Sequence, residues 1–485
     1  MISNVSRRRL LKIGAAGGLG AAALAIAGCG ETQIVEVVKE VPVVQEKIVE
    51  KVVTQEVEVQ KVVEVEKEKI VEKVVTVEAA MPKKAAVHLN FNTWWGTVEQ
   101  YTAEVGDPFI ERNPHVSIDW QVTPWGEYWQ KMQTQAVSNQ LPDFFGQSVA
   151  RNWDWANKGL TFNMGPLIKR DIDESLHYTD IWQQGRYPVK GHPDQYMMPM
   201  ETVVSMLYFN VDLFDDAGAD YPELEWTFDN WEEAGAQLTK KEGDKTTQFG
   251  VWGRNSNAFL DAFINSNGGV VLTPDFKTCE LNGPLSVEMI ARCASWIEQG
   301  IGPTDAQAAD IGGGAQLFTT GRLGMDITGS WQIDAYLKST DLNFDLMMVP
   351  IGPQERIIYG GPDSWSISSG SPHFEDAWEL VKFAIGDERS YKNFPLGRIA
   401  SNIAVSTSEE FRSKGRVPGY KYLFDSVEYM KGADFGPSWV EWRGAFSNGL
   451  APVFLGEKGA QEAADEATTN IQAILDKVPW PAEVA

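Results

Sequence analysis

Along residues 86–92 (AVHLNFN) apolar and polar side chains alternate, the period-two pattern of a strand with one buried face. Residues 101–113 read as a helix, and 116–122 return to alternation. A second helix is expected over about 129–139. It leads into Leu141-Pro142-Asp143-Phe144-Phe145, and a further strand is expected at 206–210. Strands that alternate with helices predict an α/β fold of open, mostly parallel sheets, with ligand sites at the carboxyl ends of strands. The stretch from 85 to 485 is long enough for two such lobes.

Residues 31–84 have another texture, in which Val, Glu and Lys dominate without glycine or aromatics. The octapeptide KIVEKVVT at 47–54 recurs at 69–76, and apolar residues fall at Val37, Val41, Ile48, Val52, Val59, Val63, Ile70 and Val74. These alternating gaps of four and seven make a hendecad, the period of a right-handed helical supercoil. The many β-branched residues and Pro42 oppose a helix, so a solvated tether without fixed structure stands beside it. Either form is a spacer, reaching roughly 70 Å if helical or up to roughly 180 Å if extended.

Ahead of the spacer, Arg7-Arg8-Arg9 and Lys12 precede an Ala/Gly-rich apolar stretch at 13–27, which reads as a twin-arginine export signal. Ile26-Ala27-Gly28-Cys29 resembles a lipobox, at which residues 1–28 would be removed and Cys29 lipidated. The apolar stretch is too short and glycine-rich to span a bilayer. The mature protein is therefore expected to be lipid-anchored at the extracytoplasmic face of the cell membrane.

Charge narrows the function. The chain carries 42 Lys and Arg against 67 Asp and Glu, a net charge of −25, and loss of the first 28 residues would take it to −29. So acidic a protein repels phosphate, and nucleic-acid binding is not expected. Five scattered histidines and three cysteines show no metal-ligand spacing, so neither a metal nor a cofactor is expected. Eighteen tryptophans, 22 phenylalanines and 13 tyrosines supply more flat aromatic surface than a core of this size requires.

An ordered series of motifs gives that surplus a use. Phe109-Ile110-Glu111-Arg112-Asn113-Pro114 is followed by Leu141-Pro142-Asp143, then by Met198-Pro199 before Tyr208-Phe209-Asn210-Val211-Asp212. Next come Trp226-Thr227-Phe228-Asp229-Asn230-Trp231, Asn267-Gly268-Gly269, and the run from Phe318-Thr319-Thr320-Gly321-Arg322 to Gly329-Ser330-Trp331. In this series the chain, from about 86 to 474, resembles the extracellular solute-binding proteins of family 1, which include the maltose-binding proteins that serve ABC importers. The resemblance implies a two-lobed, type II periplasmic-binding-protein fold whose lobes close on a ligand about hinge crossings near 198–203, 346–350 and 395–405. It places the N-terminal lobe at 85–200 plus 351–404 and the C-terminal lobe at 201–350 plus 405–485. The implied function is capture of a carbohydrate for an ABC permease.

A sugar offers apolar C–H faces and a rim of hydroxyls, so its site needs flat aromatics together with carboxylate, amide or guanidinium groups. Trp331 and Trp442 fall where maltose-binding relatives place stacking aromatics. Trp94 and Trp95 follow the first strand, and adjacent residues there point opposite ways, so one of them is expected to face the cleft. Trp252 and Asn255 lie in a polar loop, while Asp363 and Trp365 follow Gly360-Gly361-Pro362, whose glycines permit close approach of a ligand. Glu201, Arg398 and Arg443 could bind hydroxyls or equally form lobe–lobe salt bridges. Where maltose-binding relatives carry an acidic residue before the hinge strand this chain has Val203, so maltose specificity does not carry over.

Cys279 and Cys293, in a compartment that permits oxidation, could be bridged or could be two buried thiols. The competing function is an exported glycan-active enzyme such as a glycoside hydrolase, which needs two facing acids. No GxSxG, P-loop or GxGxxG motif supports an enzyme. Gly312-Gly313-Gly314 lacks dinucleotide spacing and reads as a loop.

Overall fold

The computed structural model describes residues 84–480, apart from 188–191, 254–256, 387–395 and 432–434, together with four short strand segments nearer the N-terminus. Cys29 and the proposed signal at 1–28 lie outside the described residues. The chain divides into two units, 1–85 and 86–485. In the first, Lys39–Val41 pairs antiparallel with Glu72–Val74, and Gln45–Glu46 pairs antiparallel with Lys67–Glu68. These spacer residues are extended rather than helical. The β-branched side chains that weaken the hendecad reading are the ones that favour strands.

In the second unit, the described residues form eleven strands in one connected sheet. They are β1 (Val87–Thr93), β2 (Val116–Val122), β3 (Phe144–Ser148), β4 (Met198–Asn210), β5 (Lys240–Glu242) and β6 (Lys245–Trp252), then β7 (Leu323–Gly329), β8 (Phe344–Met347), β9 (Ile358–Ile367), β10 (Ile399–Ala400) and β11 (Met430–Lys431). The main path runs β2-β1-β3-β9-β4-β7-β6-β5, with β8 and β10 on β4 and β11 on β9. Pairs β1–β2, β1–β3, β6–β7 and β9–β11 are parallel, but every pairing of β4 is antiparallel. The sheets are thus mixed rather than mostly parallel, because the strands at their junction run against the rest.

β4 makes the molecule two-lobed. Its first half pairs with β9, from Met198↔Trp365 to Val204↔Gly360, and its second half with β7, from Ser205↔Gly329 to Phe209↔Met325. Met198 and Met200 pack into one core with Leu89, Phe91, Phe144, Trp365 and Trp378. Val204 and Met206-Leu207-Tyr208-Phe209 pack into the other with Trp231, Phe263, Trp296 and Trp442. All thirteen residues of β4 are buried, so it shows no alternation.

The helices used below are α1 (Trp125–Val137), α2 (Val149–Asn157), α3 (Phe228–Leu238), α4 (Asn257–Ser266), α5 (Pro284–Glu298), α6 (Trp439–Phe454) and α7 (Ala460–Leu475). α3 shows how locally the sequence acts. Thr227 accepts from the Asn230 amide while Asn230 Oδ1 accepts from the Thr227 amide at 3.0 Å, a reciprocal N-terminal cap. Phe228, Trp231, Ala234 and Leu238 then form one buried stripe. It lies on β6 closely enough that a Cβ on Gly250 would meet the Gly235 carbonyl at 1.8 Å. Cys279 and Cys293 are both buried in the second core. Among the described residues no helix is long and apolar enough to cross a membrane.

Candidate functional site

Two aromatic surfaces meet where the lobes do. The first gathers at the carboxyl ends of β1 and β2. Trp94, half-buried, has its ring 5.1 Å from Trp125 and 5.5 Å from Trp129, the last two on α1. Trp125 is 53% exposed, and the Arg151 guanidinium on α2 lies 4.7 Å over Trp129.

The second is a row from five separate elements. Trp331, in the turn after β7, is 38% exposed and folds its ring onto Gly329, where a Cβ would come within 2.1 Å of it. Phe259 on α4 follows at 6.3 Å, Tyr359 on β9 at 5.1 Å from Phe259, Phe435 at 6.2 Å from Tyr359, and Trp439 at the start of α6 at 5.8 Å from Phe435. α2 joins the two surfaces. Its Asp154 accepts from the Ser438 amide at 2.8 Å, and Val149 and Phe435 both flank Gly361, each a little over 3 Å from where a Cβ would sit. Burial raises the Asp154 carboxyl, with the Ser438 bond opposing it.

Charged groups are set among these rings. Arg443, only 3% exposed, donates Nη1 to both oxygens of Asp261 at 2.7 Å, and its guanidinium stacks 4.6 Å over Phe446 and 5.0 Å over Trp442. Its Nε and Nη2, together with Trp439 Nε1 and Trp129 Nε1, are buried donors with no acceptor among the described residues. Arg398 bonds Asp363 and lies 3.2 Å from Glu201, which faces Asp363 across the β4–β9 pairing. Burial raises the Asp363 carboxyl, opposed by Arg398. Arg398 itself is raised: burial works against it, but Asp363 and Glu201 outweigh that cost.

Of the sequence candidates, the structure brings Trp331, Trp94, Asp363, Arg443 and Arg398 to this place. Four others are corrected to core residues. Trp442 is 0% exposed, because α6 carries it into the second core, while Trp439, in the first turn, packs on that core's edge and is only partly buried. Trp365 is mid-strand in β9 and packs against Phe91 and Phe144. Trp252 ends β6 inside the second core, with Gly314 pressed on its ring. Trp95 turns away from Trp94 into the first core, against Tyr101 and beneath Arg398. Glu201 is fully buried and serves Arg398, and Asn255 lies outside the described residues.

Sequence reasoning missed Phe259, Tyr359, Phe435, Trp439, Trp125, Trp129 and Asp261. A signal existed for two of them. Trp125 follows a strand as Trp94 does, and Trp439 sits one helical turn before Trp442 on the same face, so only its place at the helix start leaves it partly buried rather than sealed.

A Brucella abortus (strain 2308) protein described as a binding protein is 24% identical over 400 residues, covering 79% of this chain and 93% of its own. Among solved structures, an ABC substrate-binding protein of Listeria monocytogenes in complex with cycloalternan superposes with a TM-score of 0.74 at 19% identity, over 81% of this chain and 99% of that one. The maltose/maltodextrin-binding domain from Bdellovibrio bacteriovorus bound to maltotriose gives 0.65 at 17% identity, over 80% and 100%. These likenesses establish the two-lobed type II fold. Residues 94–389 match the family itself, and the chain belongs to the bacterial extracellular solute-binding proteins.

Proposed function

We propose that this protein captures a carbohydrate between its lobes and delivers it to the permease of an ABC importer. The observation that carries the reading is the aromatic row from Trp331 to Trp439 bordered by buried donors that meet no acceptor among the described residues, Arg443 Nε and Nη2 and Trp439 Nε1. Flat rings cover C–H faces, and the donors require the oxygens that a sugar brings. The ligands in the titles of the similar structures, cycloalternan and maltotriose, have this chemistry. The family is extracellular, which agrees with an export signal at 1–28, a lipid on Cys29 and a spacer at 29–84. The lobes would be 85–200 plus 351–404 and 201–350 plus 405–485, with Trp331, Trp94, Asp363 and Arg443 among the ligand contacts. A hydrolase fits less well, because the facing carboxylates Asp363 and Glu201 are both engaged by Arg398 rather than poised as acid and base.

The full chain should bind a member of a panel of cycloalternan, maltotriose and mannotriose in calorimetry, and return it uncleaved. Its radius of gyration should fall on binding, since a ligand touching both lobes favours the closed form. Cleavage would move the protein to the enzymes, and no binding across a wide glycan panel would sink the carbohydrate reading. Lipidation is checked separately, by the mass of Cys29 peptides from the membrane fraction; an unmodified cysteine refutes it.

A further inference from the structure

We infer that Ser330 is a positioning residue for Trp331: its buried hydroxyl fastens the turn that carries the ring to two chain segments at the lobe junction. This rests on the carbohydrate reading and deepens it. Ser330 follows β7 directly and is 0% exposed, while Trp331 beside it is 38% exposed. The Ser330 hydroxyl accepts from the Val204 amide at 3.2 Å and donates to the Gly397 carbonyl. Val204 is the last residue of β4 to pair with β9, and Ser205 after it is the first to pair with β7. Gly397 stands just ahead of β10, whose two residues pair with Thr202 and Glu201 of β4. One side chain thus reaches β4 at its change of partner and the segment that leads onto its flank.

The backbone around Ser330 is gripped as well. Gly397 has a φ of 78° and packs so closely that a Cβ on it would stand 1.8 Å from the Ser330 carbonyl oxygen. Its amide donates to the Tyr420 hydroxyl at 3.4 Å, and Arg398 next to it bonds Asp363. On the other side, the Tyr208 hydroxyl donates to the Gly329 carbonyl at 3.1 Å, and the Trp331 ring folds back onto Gly329. A hydroxyl with both its bonds on the main chain, in a place sealed from water, holds one geometry, because an unpaired group there is costly. Trp331 is one residue from that anchor. Its ring keeps its place over a sugar face only while β4 and the Gly397 segment keep their spacing, and a glycan on the ring steadies that spacing in return.

The test is a double-mutant cycle in the full chain, read by calorimetry with cycloalternan, maltotriose or mannotriose, whichever it binds most tightly. Ser330→Ala should weaken binding by roughly threefold to thirtyfold. In a chain that already carries Trp331→Ala, the same substitution should weaken it by less than about twofold, because no ring is left to place. A hydroxyl that serves only folding cannot tell whether the ring is there. A loss of the same size in both backgrounds, or none in either, therefore overturns the inference and leaves carbohydrate capture standing. Should Ser330→Ala fail to fold, Tyr208→Phe loosens the same turn at the Gly329 carbonyl while its ring stays in the core. Its smaller loss should likewise vanish with Trp331→Ala, and one that persists overturns the inference. Binding of none of these sugars, nor of any glycan on a wide panel, overturns carbohydrate capture and this inference with it.

Discussion

The two sides of the site use tryptophan differently. On the first, Trp125 packs edge to face on both Trp94 and Trp129, which tilt against each other, and Trp125, the outermost, is half in solvent. On the second, the rings come from five elements and are pinned by a buried ion pair and by close backbone contact, as Trp331 is by Gly329. A surface of rings resting on rings can shift to suit a ligand, whereas rings fixed by a charge pair and a glycine are already in place. Pre-organised contacts lose less on ordering and should hold more of the binding energy.

The contrast is sharpest between two tryptophans that the sequence treats alike. Trp442→Ala should cost on the order of 3 to 5 kcal/mol of stability, because it empties part of a sealed core and leaves the Arg443 guanidinium without one of its stacking faces. Chemical denaturation measures this; a loss below 1 kcal/mol would mean that the core placement is wrong. Trp331→Ala should leave the melting point nearly unchanged and weaken ligand binding by roughly tenfold to a thousandfold, the range expected for losing a stacking contact and its burial. Unaltered affinity would remove Trp331 from the site. On the first side, Trp125→Ala should weaken binding only by about threefold to tenfold. An effect there as large as that of Trp331 would erase the distinction between a fixed and an adaptable side.

The two cores can be told apart by pH, with an effect between those of Trp331 and Trp125. In the second core, burial pushes Asp326 up to about 7 against the Tyr336 hydroxyl that donates to it at 2.7 Å. The native state keeps this proton from about pH 4 to 7, where the unfolded chain has lost it. That contribution to stability is therefore greatest at low pH and disappears as pH rises through 7. Beside the first core, burial pulls His177, stacked on Trp182, down to about 4. Its contribution is present above pH 6.5 and is lost as pH falls toward 4. The slopes are opposite, so these two contributions offset each other between pH 4 and 6.5. Asp326→Asn should uncover the histidine slope and rise with pH there, by up to about 1.4 kcal/mol per pH unit. Urea midpoints at several pH values follow it, and a profile unchanged by the substitution would refute the opposing pair.

How much of this was readable in advance depends on whether a residue's surroundings are local. β1 and β2 were legible because one face alternates, and the cap and stripe of α3 are written just as locally, within twelve residues. β4 was seen only at its end, since a strand buried on both faces has no period to read. The glycines of Gly360-Gly361-Pro362 read as room for a ligand, yet they lie inside β9, where they admit Met430, Val149 and Phe435 against the backbone. The site suffered most, because its row is assembled from five elements far apart in sequence. No local pattern distinguishes Trp365, sealed in a core, from Trp331, which lies at a surface.

β4 has a consequence for how the chain can change over time. Because it passes unbroken from one core to the other, the stretch from Glu201 to Phe209, beyond the register shift that the pairing with β9 makes between Pro199 and Glu201, keeps one phase: residues that point up before Val204 fix which residues point up after it. One residue inserted near Val204 would turn every side chain on one side of it to the opposite face, so that Met206 and Tyr208 would exchange roles with Leu207 and Phe209 while Met198 and Met200 stayed in place. Loops around the cleft can lengthen or shorten independently, but this strand ties the inheritance of one lobe to that of the other, and a single-residue change in its length should survive only where a bulge absorbs it, as between Pro199 and Glu201.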